Sequence, residues 1–126
     1  MIDDQIRKYV RTEVDENDNI TVSIVRIATM LKGAEVKPIV VKPINISARG
    51  LKFESELDFG TGIMLDLLIT IEDKTLQTTC KIVRGEQIQG KYQYAVTFSL
   101  LKEYNVMIIS SYVKRKMIDH IQQMRG

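Results

Sequence analysis

The stretch that decides the fold is residues 63–71, which read IMLDLLITI. An aliphatic residue stands at every second position, at 63, 65, 67, 69 and 71. Because successive side chains of a β-strand point to opposite faces, this period of two places all five side chains on one face. The pattern predicts a strand with one buried face, which is typical of antiparallel sheets.

Similar alternation surrounds this strand on both sides. It predicts five further strands, at 20–27 (ITVSIVRI), 36–44 (VKPIVVKPI), 50–54 (GLKFE), 75–84 (TLQTTCKIVR) and 91–98 (KYQYAVTF). Pro38 and Pro43 lack the backbone N–H that a ladder needs. They predict that the strand at 36–44 lies at a sheet edge or is broken into short pieces. Residues 72–74 (EDK) predict a turn, and residues 85–90 (GEQIQG) a longer loop.

The last part of the chain has a different period. No glycine or proline occurs from residue 101 to residue 124. Its apolar residues recur at spacings of three and four: Val106, Ile109, Val113, Met117, Ile121 and Met124. This pattern predicts one amphipathic helix. The fold class is therefore mainly β, a six-stranded antiparallel barrel with a C-terminal α-helix packed on it.

Composition limits the possible functions. The chain has 126 residues, enough for one domain, and a formal charge of +2, too small to indicate nucleic-acid binding. Cys80 is the only cysteine and cannot form an internal disulfide. Since the first residues are charged and no long apolar run follows, we expect a cytoplasmic protein without a membrane span.

No catalytic or metal-binding set is evident. His120 is the only histidine, with no second histidine or cysteine nearby to complete a zinc site. Neither a nucleophile elbow nor a Walker-type phosphate loop occurs. We expect no enzyme activity, no metal and no cofactor. Tyr92 and Tyr94 alternate on one strand, where aromatic residues could stack on nucleic-acid bases, but core packing is favoured and no nucleic-acid partner is expected.

Residues 45–50, NISARG, form the first polar motif of interest. Asn45 and Ser47, two apart on an extended chain, would present an amide and a hydroxyl on the same face. Gly50 would give a turn its positive φ and let a flat ligand approach the backbone. A plain turn between strands explains the same residues, since Asn and Ser side chains often bond their own backbone.

Residues 7–11, RKYVR, form the second motif, on a polar N-terminal arm that spans residues 1–15. Arg7 and Arg11 carry guanidinium groups that can clamp phosphates, pair with guanine edges or stack on a purine. A solvated helix is the alternative, because Asp3 and Asp4 each precede a basic residue by four positions.

Taken together, R-x-x-x-R at residues 7–11 and N-x-S-x-x-G at residues 45–50 resemble the signature of the PilZ domain family, the bacterial receptors of cyclic di-GMP. The strands and terminal helix also resemble this family, so the similarity covers nearly the whole chain. It implies one domain with a ligand-clamping arm at 1–15, a barrel at 16–100 and a helix at 101–124. Ala95 departs from the pattern, since the family often has glycine there.

The resemblance implies a cyclic di-GMP site formed by Arg7, Arg11, Asn45, Ser47 and Gly50. It also implies an arm that becomes ordered when the ligand binds, and an unidentified output protein in motility, pilus or exopolysaccharide and biofilm pathways. Ile6, before the first arginine, implies one ligand per protomer. The alternative is a PilZ-like interaction module that binds no cyclic di-GMP. The apolar stripe of the last helix is compatible with a monomer or a homodimer.

Overall fold

The structure, a computed structural model, describes residues 11–27 and 35–125. All strand pairs in this part of the chain are antiparallel. The elements in chain order are β1 (Thr12–Glu13), β2 (Ile20–Ile27), β3 (Glu35–Ile46), β4 (Gly50–Ser55), β5 (Met64–Ile71), β6 (Lys74–Ile88), β7 (Lys91–Leu100) and α1 (Glu103–Arg125).

Six of these strands form a closed barrel. The sheet runs β3-β2-β5-β6-β7-β4, and the pairing of β4 with β3 closes the ring. This confirms the predicted six-stranded antiparallel barrel with a C-terminal helix. The short strand β1 pairs with β3 outside the ring and was not predicted, because two residues are too short to show a period.

The core follows the alternation in the sequence. Leu65, Leu67 and Ile69 of β5 are completely buried, as their period of two predicted. On the paired strand β6, Cys80 and Ile82 are buried in the same interior. A closed barrel hides one face of every strand, so a period of two in each strand is enough to fill its centre.

Strand β3 differs from its prediction. It is one continuous strand of 12 residues, so it is not broken into pieces. Its residues 35–41 pair with β2 alone, so Pro38 lies where the strand has a single neighbour, as at a sheet edge, whereas Pro43 lies inside the ring opposite Phe53. It tolerates Pro43 because its neighbour changes there: the pairing with β2 reaches only Val41, and the pairing with β1 begins at Asn45. Pro43 therefore has one paired strand neighbour, Phe53 of β4, at a place where the β3–β4 register also shifts.

The loop predicted at residues 85–90 is also wrong. β6 continues to Ile88, and only Gln89 and Gly90 separate it from β7. Both turn residues have positive φ, 51° and 80°, as a type I′ turn requires. Gly85, which the prediction places at the start of the loop, lies within β6, where its missing side chain leaves room for the ring of Tyr94.

Helix α1 uses its apolar stripe unevenly. Ile109 and Val113 are buried against the barrel, but Met117 and Ile121, further along the same stripe, are 43% and 50% exposed. The first half of the helix thus seals the core, while the second half extends past it. Across the residues described, no helix is both long enough and apolar enough to traverse a bilayer.

Candidate functional site

The junction of β1 and β3 brings the two motifs together. β1 pairs with the end of β3, with Glu13 opposite Asn45. The Val14 N–H extends this pairing by donating to the Ile44 carbonyl oxygen over 2.9 Å. The preceding residue, Arg11, lies beside Asn45, and its Nη1 donates to Asn45 Oδ1 over 2.8 Å. Two predicted site residues that are 34 positions apart in sequence are therefore in direct contact.

Ser47 lies just beyond the end of β3 and is 1% exposed. Its Oγ accepts a hydrogen bond from the Arg49 N–H over 3.1 Å, and its own N–H donates to the Gly50 carbonyl oxygen over 2.9 Å. Both bonds stabilise the turn from β3 into β4. The structure thus gives Ser47 the turn role that the alternative interpretation described, although its hydroxyl hydrogen can still be donated.

Gly50 is required by strand packing. A Cβ at this position would lie 2.1 Å from the Val96 carbonyl oxygen on β7, which no side chain can tolerate. The prediction of a positive φ here is wrong, because the described glycines with positive φ are Gly62 and Gly90. Gly50 is therefore a contact point between β4 and β7 rather than a turn residue. Arg7, the remaining predicted site residue, lies outside the described residues, as do Ile6 and residues 1–10 of the arm.

An open groove of about 770 Å³ borders Arg11 between β1, the loop after it and the helix α1. Its charged lining is mostly acidic, so it does not suit a phosphate ligand. The lining residues are Arg11, Thr12, Glu13, Asp15, Asn17, Asp18, Lys116, Met117, Asp119, His120 and Gln123.

Lys116 crosses this groove from the helix. Its Nζ donates to Asp18 Oδ1 and Oδ2 over 2.9 and 2.7 Å and to Asp15 Oδ2 over 3.1 Å. Asp18 Oδ2 also accepts the Asp15 N–H over 2.7 Å, which closes the loop between β1 and β2. Sequence analysis missed this cluster because Lys116 belongs to a basic run, KRK, that resembles a solvated helix face. The available signal was its position four residues after Tyr112, on the buried side of the helix.

The groups in this cluster shift one another's pKa values. Burial disfavours the ionised form of Asp18, but the hydrogen bonds from Lys116 and from the Asp15 N–H outweigh it and lower the pKa of Asp18. Hydrogen bonding to Asp18 raises the pKa of Lys116. Burial, with the nearby Asp18 carboxylate, raises the pKa of Tyr112, whose hydroxyl has no hydrogen bond of standard geometry within the described chain. Asp18 and Lys116 are therefore both charged at neutral pH.

Tyr94 and Cys80, which could in principle bind nucleic acid or act as a nucleophile, have structural roles instead. Tyr94 is buried, and its hydroxyl donates to the Leu57 carbonyl oxygen over 2.8 Å and accepts the Phe59 N–H over 2.6 Å. This matches the core role favoured from the sequence. Burial raises the pKa of the Cys80 thiol to about 12, so it is not a nucleophile at neutral pH. No group of three or more histidine, cysteine or acidic side chains in residues 11–27 and 35–125 is placed to hold a metal ion.

Comparison with known proteins gives a family match and several structural neighbours. The family model "PilZ domain" matches residues 5–115, which include both motifs. The inhibitor of motility MotI/DgrA from Bacillus subtilis is 21% identical with a TM-score of 0.69; the match covers 89% of this chain and 51% of that one, so this chain spans about half its length. No curated protein sequence is significantly similar.

Two neighbours were solved with c-di-GMP. The PilZ domain of YcgR from Escherichia coli is 7% identical, with a TM-score of 0.67 and coverage of 94% of this chain and 97% of that one. MrkH from K. pneumonia is 9% identical, with a TM-score of 0.63 and coverage of 94% and 53%. At these identities the likeness shows a shared fold.

Proposed function

Because this chain belongs to the PilZ domain family, we propose that it is a receptor for cyclic di-GMP that passes the signal to a partner protein without catalysis of its own. The hydrogen bond between Arg11 and Asn45 is the observation that carries this proposal, since it joins the two motifs at one place on the barrel surface. The c-di-GMP complexes of YcgR and MrkH support the choice of ligand.

The donors at this place suit the ligand. A guanidinium has five N–H donors, and within the described chain Asn45 engages one of those of Arg11. The Asn45 amide accepts that bond with its oxygen and keeps its nitrogen as a donor. Guanine presents two acceptors, O6 and N7, along one edge, and the phosphates add further acceptors. Arg11 and Asn45 therefore form a donor pair that matches a guanine edge or a phosphate.

The remaining site residues have distinct roles in the proposal. Arg7 would supply a second guanidinium fork, and Ser47 would donate its hydroxyl hydrogen to the base or a phosphate. Gly50 would keep β4 close to β7 beneath the ligand, because it has no side chain to meet Val96. We propose that ligand binding draws the part of the arm before Arg11 across the barrel, in a cytoplasmic setting, and so changes the surface that the output protein meets.

Calorimetric titration of the intact chain with cyclic di-GMP tests this function. We expect saturable binding and a raised melting temperature, because a ligand that binds only the folded state stabilises it. Arg11→Ala should abolish binding, whereas Lys114→Ala, on the exposed side of α1, should leave it unchanged. Absence of both heat and a melting shift at tens of micromolar ligand would refute the proposal.

A barrel that serves only as a protein-interaction module is the second candidate. It is favoured by the finding that Ser47 and Gly50 each have a structural role without any ligand. Under this alternative Arg11 would be an ordinary surface residue bonded to Asn45. A partner that binds equally well to the wild type and to Arg11→Ala, with no titration by cyclic di-GMP, would select it.

A further inference from the structure

We propose that Lys116 is a positioning residue for the ligand site, holding the segment of residues 12–18, and through it Arg11, in place from the helix. The proposal rests on the proposed cyclic di-GMP function and adds to it the residue that sets the geometry of the arm's fixed end. Within residues 11–27 and 35–125, the hydrogen bonds of Lys116 go to Asp15 and Asp18 rather than to Arg11 or Asn45.

The path from Lys116 to Arg11 is short and continuous. Lys116 holds Asp15 and Asp18, which border the loop that follows β1. One residue before Asp15, the Val14 N–H is bonded to β3, and the β1 ladder then runs back to Thr12. Arg11 is the next residue. Displacement of the loop would therefore pull on the backbone from which the Arg11 side chain reaches Asn45.

Lys116 differs from an ordinary surface lysine in burial and in bonding. Its side chain is 22% exposed and that of its partner Asp18 is 16% exposed. The ammonium group has three donors, and its three hydrogen bonds go to the carboxylates of Asp15 and Asp18. The backbone N–H of Asp15 also donates to Asp18 Oδ2, so the two residues are bonded to each other as well. Isolated exposed ion pairs contribute little, but a partly buried network with shared partners fixes geometry more strongly.

Holding residues 12–18 in place before the ligand arrives would lower the entropy cost of binding. Only two residues of β1 pair with β3, so that strand alone is a weak anchor. If Lys116 keeps it in place, part of the entropy cost of ordering Arg11 has been met before the ligand arrives. Without Lys116, the entropy cost of ordering Arg11 would fall on ligand binding and weaken the affinity.

Lys116→Met, which removes the charge and shortens the unbranched side chain by only one atom, tests the inference. We expect cyclic di-GMP affinity to fall about ten-fold, equivalent to about 1.4 kcal/mol. Lys114→Met, on the exposed face of the same helix, is the matched control and should bind like the wild type. Lys116→Arg should restore most of the affinity, because a guanidinium can also bridge two carboxylates.

Amide hydrogen exchange without ligand separates positioning from general loss of structure. In Lys116→Met the Val14 amide should exchange faster, while the Ile82 amide, bonded to the Ile63 carbonyl oxygen elsewhere in the barrel, should keep its protection. Unchanged affinity or unchanged Val14 exchange would overturn the inference. A wild-type chain that binds no cyclic di-GMP would refute the proposed function instead, and Val14 exchange would still decide whether Lys116 holds the segment.

Discussion

A single atom added to Gly50 would collide with the neighbouring strand. The 2.1 Å distance from a Cβ to the Val96 carbonyl oxygen involves backbone, which cannot move aside as a side chain can. We expect Gly50→Ala to lower the free energy of unfolding by about 3 kcal/mol, near the upper end for single substitutions. Urea denaturation measures this.

Gly60→Ala provides the control. Its Cβ would meet only the Ile63 Cγ1 at 4.0 Å, an ordinary contact, so stability should change little. Equal stability of the two variants would contradict the close approach of β4 and β7.

Cys80 offers a second test at the residue scale. Its thiol is fully buried, and burial raises its pKa to about 12. We therefore expect no reaction with a disulfide reagent in the folded protein at pH 8, and complete reaction after unfolding. The reaction is measured by absorbance. Rapid labelling of the native chain would contradict this prediction, because it would show that the centre of the barrel opens without global unfolding.

At the scale of elements, the turn of the β6–β7 hairpin places a non-glycine residue, Gln89, in the left-handed region of the backbone. Gln89 occupies the first turn position with φ of 51°, a conformation that asparagine adopts more readily than glutamine. Gln89→Asn should raise the free energy of unfolding by about 0.5 kcal/mol. Gln87→Asn, within the paired part of the same hairpin, should give no such gain. A loss of stability in the turn variant would contradict the turn type.

The elements also show what a sequence pattern can and cannot predict. β5 was predicted because its buried and exposed faces alternate in sequence without interruption. β3 differs from its prediction because the effect of a proline depends on the neighbours of the strand, and β3 changes partner near Pro43. The β6–β7 turn was hidden by a run of polar residues that are exposed on both faces. Local periodicity reports neither a change of pairing partner, as in β3, nor a strand with two exposed faces, as at the end of β6.

On the scale of the whole molecule, Asp18 and Lys116 join the first loop to the last helix across 98 residues. The folded state lowers the pKa of Asp18 below its ordinary value of 3.8, so its stabilising effect is present above that pH and is lost as the pH falls through the lowered value. Asp18→Asn should therefore melt earlier than the wild type at pH 7, with the difference shrinking below about pH 4.

Melting temperatures of both proteins between pH 2 and pH 7 measure this. The ion pair of Arg115 with Glu72 is the comparison, because it joins the same helix to the β5–β6 turn at the surface. Glu72→Gln should have the smaller effect at pH 7, since exposed pairs contribute little. A constant difference between Asp18→Asn and the wild type at every pH would show that the carboxylate charge is not what stabilises the fold.

Of the candidate site, the sequence predicts the two motifs, because each is local in sequence, and the site itself stays a prediction. The two motifs were recognised from their spacing, and the structure places Arg11 on Asn45. The support from Lys116 was not predictable, because it depends on how far the helix runs along the loop after β1. A basic run gives no indication of which of its members turns inward.

The close approach of β4 to β7 at Gly50 has a consequence for how such chains diverge. A related chain that lost the proposed cyclic di-GMP ligand would no longer need Arg11 and Asn45, yet any side chain at position 50 would still meet Val96. Selection for a foldable barrel would therefore preserve the glycine long after selection for the messenger had ended. The glycine of the motif is therefore evidence for the shared fold, whereas polar residues such as Arg11 and Asn45 are the ones that bear on the proposed ligand binding.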